Sequence, residues 1–370
     1  MRILLTKLKH IGDALLMTPV ICAIRAQFPD AEIVVVVRKG TEGILKGCPA
    51  IDRLLTAAAP ETHRRSWWNW LEDFKLIMEL RSKRFDYAFE LGDGDRGRWV
   101  CALARANVRS TDEPFRKLFP LWKLVFRSIS HYDWARPHRV EKDFFTVGNE
   151  LKLQGPPSGL CFARELSEES WASEEAGGRC IVFHPATRMP EKLWPEERWI
   201  EVGRALRSCG CRIVISVGPS GEEVELGKRI AAGIGPEAFS TRGELNWPQL
   251  ARLLYVARLF VGVDTAAMHL AAACQCPTVA IFGLTAVVQW RPWQCPNRVV
   301  AALAEHEELP AAKVQSDNPI HGISVESVLA AVKELELETG PHRDAASANP
   351  LDVANHPVSV PGAHERTATL

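Results

Sequence analysis

Two doubly wound α/β units in series, each a parallel sheet covered by helices on both faces, is the architecture this sequence predicts. Three observations predict it. The run AEIVVVV (31–37) ends in five consecutive apolar, β-branched residues, as a parallel strand covered on both faces requires. It follows a short strand (RILL, 2–5), a loop (KLKHIGD) and an amphipathic helix (14–28), which together make the β-loop-α-β opening of a doubly wound sheet. A second series of apolar runs begins near residue 180, and 370 residues suit two domains of roughly 150–180 better than one.

In chain order, Pro29-Asp30 ends the first helix, and FDYAFEL (85–91) reads as a strand running into the loop GDGDRGR (92–98). Segment 112–145 differs. It mixes Phe115, Phe119, Leu121, Trp122 and Phe126 with Arg116, Lys117, Lys123, Arg127 and Arg139. It reads either as solvated helix faces or as a basic, aromatic lip for an anionic amphiphile, and 61–71 (ETHRRSWWNWL) has a similar character. Residues 151–178, with Gly155-Pro156-Pro157 and an acidic, Gly-rich stretch, read as the connection between a first domain, 1–165, and a second, 176–338. CIVFHP (180–185), CRIVISVG (211–218), LFVGVD (259–264) and PTVAIFG (277–283) are the expected strands there. The helices between them begin at Pro195, near Glu223, at 250 and after Asp264, and a last one spans about 325–337. Residues 340–370 lack apolar periodicity and read as a disordered tail.

Basic and acidic residues balance at 45 each, so nothing global favours nucleic acid, and an anionic partner must meet a local patch. The ten cysteines include the pairs 209/211 and 274/276, which are C-x-C rather than a zinc or thioredoxin knuckle, and read as reduced core residues. Lys7, Lys9 and Asp13 interrupt the first apolar stretch, so it does not read as a leader. No run reaches the roughly 18 apolar residues of a membrane span. A cytoplasmic protein is expected, with loose association at a membrane surface possible.

The chemistry concentrates at strand ends. In VGVDTAAMHLAAA, Asp264 and Thr265 stand where a helix begins, with unpaired amides and a positive dipole end. That is a site for a phosphate or diphosphate, or a plain helix cap. HPATRMPEKLWP offers Thr187, Arg188 and Lys192; GPSGEE offers Glu222 for a ribose hydroxyl; FGLT follows the last strand. These loops share the carboxyl edge of one sheet, where open α/β folds bind ligands. No P-loop G-x-x-x-x-G-K-[ST] occurs, which argues against a P-loop ATPase. In the first half, Asp13 follows Gly12 at a helix start, either as an N-cap or as a carboxylate base facing the interdomain cleft. Such a base, with Lys192 and helix amides on a leaving diphosphate, completes a sugar transfer without a metal. His269 reads as a packed, hydrogen-bonded histidine that can orient Asp264 or a diphosphate; Trp194 and Trp290 read as packing residues.

The patterns LLTKLKHIGDALLMTP, HP…KLWP and VGVDTAAMHLAAA, in this order over roughly 1–335, resemble glycosyltransferase family 9, the lipopolysaccharide core heptosyltransferases. GDRGRW (94–99) and WRPW (290–293) resemble the heptosyltransferase III branch. The resemblance implies a GT-B fold, two Rossmann-like domains facing across a cleft. Its N-terminal domain would bind a lipid A-core oligosaccharide acceptor at the inner membrane's cytoplasmic face. Its C-terminal domain would bind ADP-L-glycero-β-D-manno-heptose as donor substrate, with no cofactor. The family's base falls on Asp13, its phosphate-binding lysine on Lys192, its hydroxyl on Thr187, and its Asp-Thr-Gly motif on Asp264, Thr265 and Ala266. Adenine and ribose contacts fall near Leu245 and Glu222, and the acceptor-side candidates are His10, Gly12, Arg96, Arg116 and Lys117. Ala266 replaces the family's glycine, which narrows the approach to its amide. Another GT-B nucleotide-sugar enzyme, such as an epimerase, or a non-catalytic sugar-nucleotide-binding protein are the alternatives.

Overall fold

A computed structural model describes residues 1–59, 67–113, 119–131, 138–177, 180–303 and 318–339. Arg116, Lys117 and the 340–370 segment lie outside them. The first six strands, β1 (Arg2–Lys7), β2 (Glu32–Arg38), β3 (Arg53–Ala57), β4 (Phe85–Glu90), β5 (Ala106–Asp112) and β6 (Ser128–Ser130), form one parallel sheet ordered β3-β2-β1-β4-β5-β6. The next six are β7 (Cys180–His184), β8 (Arg212–Ile215), β9 (Ala238–Ser240), β10 (Leu259–Val263), β11 (Thr278–Phe282) and β12 (Asn297–Ala301). They form a second parallel sheet ordered β12-β11-β10-β7-β8-β9. Read from β9, this is the same permutation as the first sheet.

The first sheet carries α1 (Ile11–Leu16), α2 (Thr18–Gln27) and α6 (Arg139–Leu151) on one face, and α3 (Trp67–Arg81), α4 (Asp95–Leu103) and α5 (Pro120–Val125) on the other. β2 shows why the sequence folds this way. Ile33, Val35 and Val37 feed one core, Val34 and Val36 the other, and all five are fully buried. In the second half, α8 (Glu196–Ser208), α9 (Gly221–Ile234) and α13 (Val325–Thr339) cover one face. α10 (Trp247–Val256) and α11 (Ala266–Ala273) cover the other. The short α12 (Val287–Trp290) follows β11, and α7 (Trp171–Ala176), within the expected connection, packs on α10 and β8.

The expected helix over 14–28 is two helices. It starts three residues earlier, at Ile11, and breaks at Met17, because Pro19 lacks the N–H that would continue the ladder. At the break Thr18 Oγ1 donates to Leu15 O (2.8 Å) and accepts from Cys161 N (3.0 Å), fastening the connection to the first half. α8 begins at Glu196 with Pro195 as its cap, one residue later than the sequence suggested. All ten cysteines are free, and the Cys22, Cys48 and Cys161 sulfurs lie within 4.8 Å of one another at this same junction. No helix among the described residues is long and apolar enough to cross a membrane.

One apolar core runs through both halves. α1 packs on α11, so Leu15 and Leu16 belong to the same buried cluster as Ala267, Met268 and Leu270.

Candidate active site

Asp13 lies inside α1, at its third position, rather than at the cap. His10 is the cap residue, and its amide donates to Asp13 Oδ2 (3.3 Å). This is the returning half of a capping box, which fixes the carboxylate at the carboxyl end of β1. Asp13 is 6% exposed. Gly12, beside it, is one of the points where the two halves touch. A Cβ there would stand 3.0 Å from His269 Cδ2 and 3.6 Å from Ala266 Cα. Its lack of a side chain admits α11, and its φ is not in the left-handed range, so a tight turn is not its role.

The second half brings Thr265, Ala266 and His269 to this contact. β10 ends at Val263, Asp264 turns the chain, and Thr265 caps α11 without using its side chain. Thr265 Oγ1 and His269 Nδ1 are both buried without a hydrogen-bond partner among the described residues. Sequence reasoning expected a hydrogen-bonded His269; it is packed, but its Nδ1 is unpaired. Burial lowers its pKa, against the upward pull of Asp264 and then Asp13, with Lys192 acting downward. The ring is therefore neutral near pH 7, and its surroundings name the groups that converge here from both halves.

Lys192 ends a 3-10 turn at Pro190–Lys192, where its amide bonds to Met189 O (2.9 Å). Its Nζ sits 2.6 Å from Asp264 Oδ2, with side chains 17% and 8% exposed. Thr187, half-buried in the same loop, accepts from Met189 N (3.2 Å). Arg188 is exposed and acts electrostatically on His10 of the opposite half. Desolvation lowers the His10 pKa first, Asp13 opposes it, and Arg188, Lys9 and Arg38 add to it. A carboxylate from one half thus shares an electrostatic neighbourhood with cations and helix amides from the other, as an anionic leaving group requires.

The remaining candidates are placed unevenly. Glu222 is exposed in the first turn of α9, whereas Glu223 is tied down by Gly218 N (2.7 Å). Leu245 is half-buried between β9 and α10, in a loop whose Gly243 (φ +72°) leaves no space for a side chain against Gly218. These loops lie along the carboxyl edge of the second sheet with Thr187 and Thr265. Arg96 is engaged by Asp73 of α3 (2.9 and 3.1 Å), so it ties two helices together. Trp194 is a packing residue, its Nε1 donating to Ile323 O (3.0 Å).

Sequence reasoning missed a buried ionic network beneath Asp13. Lys7, Arg98, Arg139 and Lys142 face Glu90, Asp93, Asp112 and Asp143. Lys142 Nζ reaches Asp93 (2.7 Å) and Asp112 (2.5 Å), and Arg139 reaches Asp93 (3.0 Å). Burial would raise the Asp93 pKa, but Arg139 and Lys142 outweigh it and hold the carboxyl below its usual range. Burial disfavours the Arg139 charge too, and Asp93, Asp143 and Asp13 keep it ionised. The available signal was charge at the last residues of β1, β4 and β5, facing charge on α6. WRPW also crosses between the halves. Arg139 lies over the Trp290 ring (5.7 Å), His138 Nε2 meets Arg291 O (2.9 Å), and the His138 and Trp293 rings stack at 4.5 Å. Trp290 therefore carries a cation on its face, beyond the packing expected of it.

Two like-ordered parallel sheets meeting at their carboxyl edges define the GT-B class, and solved structures share it. The crystal structure of the family 9 glycosyl transferase from Veillonella parvula aligns with a TM-score of 0.77 at 21% identity, covering 91% of this chain and 97% of that one. Escherichia coli heptosyltransferase WaaC with ADP aligns at 0.75 and 23%, covering 90% and 100%. Residues 74–320 match glycosyltransferase family 9 (heptosyltransferase), and the chain belongs to that family. It is accordingly a glycosyltransferase. Among its relatives, lipopolysaccharide heptosyltransferase 3 of Escherichia coli is 27% identical over 341 residues, 88% of this chain and 96% of the relative. Lipopolysaccharide heptosyltransferase 1 of Pseudomonas aeruginosa is 27% identical over 288 residues, 77% and 79%.

Proposed function

We propose that this enzyme transfers heptose, with inversion, from ADP-L-glycero-β-D-manno-heptose to a heptose of the lipopolysaccharide inner core, in the manner of the heptosyltransferase III branch. The relatives' names support the sugar and the acceptor. The observation that carries the chemistry is the abutment of Gly12-Asp13 on the head of α11. Asp13 takes the proton of the acceptor hydroxyl as that oxygen attacks the anomeric carbon. The bond to the ADP oxygen breaks on the opposite face, and the negative charge passes to the diphosphate. The first amides of α11, the Thr265 hydroxyl, Thr187 and Lys192 receive that charge. Lys192 then exchanges Asp264 for phosphate, which keeps its charge compensated in both states. Glu222 and Leu245 serve the ribose and adenine, and His10 and Gly12 border the acceptor. No metal is required by this scheme. The acceptor is lipid-borne, so the enzyme works in the cytoplasm, peripherally at the inner membrane.

The test is D13A, which should lose transfer by about 10²–10⁴-fold while binding ADP as tightly as wild type. Full activity in D13A would refute the mechanism. Core oligosaccharide from cells lacking the protein should be lighter by one heptose on mass spectrometry.

A further inference from the structure

The layer formed by α3, α4 and α5 has an unusual outer surface. α3 turns Leu76 and Leu80 inward to the sheet, yet its outward stripe is apolar too: Trp67, Trp70, Phe74 and Met78, at i, i+3, i+7 and i+11. Trp67 is 62% exposed and Phe74 61%. Trp99 of α4 and Leu124 of α5, the latter 86% exposed, continue the surface through the Trp99–Trp122 edge contact at 4.9 Å. Of the fifteen large apolar side chains exposed among the described residues, ten belong to this one layer. A soluble face of this kind marks an interaction surface.

Its charges indicate the partner. The acids of the layer are neutralised within the fold: Glu72 by Lys39 (2.6 Å), Asp73 by Arg96 (2.9 Å), Glu79 by Arg53, and Asp95 by Arg98 (3.3 Å). Lys75, Lys123 and Arg127 are exposed and have no ion pair among the described residues. The surface is therefore tryptophan-rich and carries surplus positive charge. Lysine is depleted in the cores of protein interfaces, whereas tryptophan beside lysine suits the headgroup boundary of an anionic bilayer.

We infer that the outer face of α3, α4 and α5 is the surface by which the enzyme lies on an anionic lipid bilayer. Trp67, Phe74 and Met78 enter the headgroup boundary, and Lys75, Lys123 and Arg127 meet lipid phosphates. α3 and α4 both start at the carboxyl edge of the first sheet, the edge that bears Asp13. The bilayer consequently flanks the first-half wall of the cleft and leaves the second half free to take donor from solution. The inference deepens the proposed function and rests on its lipid-borne acceptor, but its test uses lipid alone.

Full-length protein is sedimented with vesicles of phosphatidylethanolamine and phosphatidylglycerol (roughly 3:1), and separately with phosphatidylcholine vesicles. Wild type should bind the anionic vesicles and lose much of that binding in high salt. F74E/M78E and K75E/K123E should each bind about tenfold more weakly or worse. Both variants should keep the wild-type unfolding midpoint, ADP affinity and transfer to a delipidated, water-soluble core oligosaccharide. Wild type left in the supernatant with every vesicle, or variants that bind as well as wild type, would overturn the inference. So would a light-scattering dimer that F74E/M78E dissociates without any lipid binding. Lipid binding without heptose transfer would leave this surface assigned and refute the proposed function instead.

Discussion

Lys192 and Asp264 are 72 residues apart and form a 2.6 Å ion pair between the loop after β7 and the turn after β10. The pair is mostly buried, so neither charge is easily left alone. K192A should lower kcat/KM for the donor by about 10–100-fold, the range of one charge-assisted hydrogen bond. K192R should recover part of it. Steady-state kinetics with varied donor decide the matter; unchanged kinetics in K192A would mean that the lysine serves Asp264 alone.

Gly12 has no room for a methyl group. G12A should push the His269 ring, and α11 with it, back by a few tenths of an ångström. Misplacement on that scale should cost about tenfold in kcat, given that 1 Å costs about 10²-fold. ADP affinity, set within the second half, should change much less. An equal fall in both would mean that the substitution damages the donor site itself.

His138 and His184 are held neutral, burial lowering them to about 3 and about 4 from the usual 6.5. The unfolded chain protonates them first. Stability is therefore intact above pH 6.5 and declines as pH falls toward those lowered values, by about 2 kcal/mol per histidine at pH 5. In chemical denaturation at pH 7 and pH 5, H184Q should flatten the difference by about half of the two-histidine total. A pH response identical to wild type would remove His184 from the account.

Arg139 joins the buried network to Trp290 of the other half. R139A leaves Asp93 short of a partner and should cost about 3–5 kcal/mol of stability. W290A removes only the ring and should cost far less, about 1–2 kcal/mol for a shielded cation–π contact. Calorimetry should show that order of severity; the reverse order would place the main load on the ring.

The doubly wound halves were legible because parallel strands buried on both faces leave runs such as IVVVV and LFVGV that no amphipathic element imitates. β3, β6, β9 and β12 were not, since half-buried edge strands of three to five residues carry too little pattern, nor was the interior strand β5, whose sequence ANVRSTD is mostly polar. Asp13, Lys192 and Thr265 were legible as residues at strand ends. That they face one another followed from the resemblance to a GT-B fold; the glycine gap at Gly12 that lets α1 meet α11 was not legible, because it depends on packing between segments about 250 residues apart. Arg139 was read as part of a solvated face or of a basic, aromatic lip; α6 in fact turns it inward together with Lys142, where four acids await them.

The core shared by α1 and α11 has a mechanical consequence. Parting those helices would wet Leu15, Leu16, Ala267 and Met268, so cheap opening motions pivot about that seam instead of splitting it. A pivot there would carry the outer loops through wide arcs and move Asp13 and Thr265, which lie beside it, very little. A substrate admitted by such rim movement would leave the proposed reacting centre aligned from one turnover to the next.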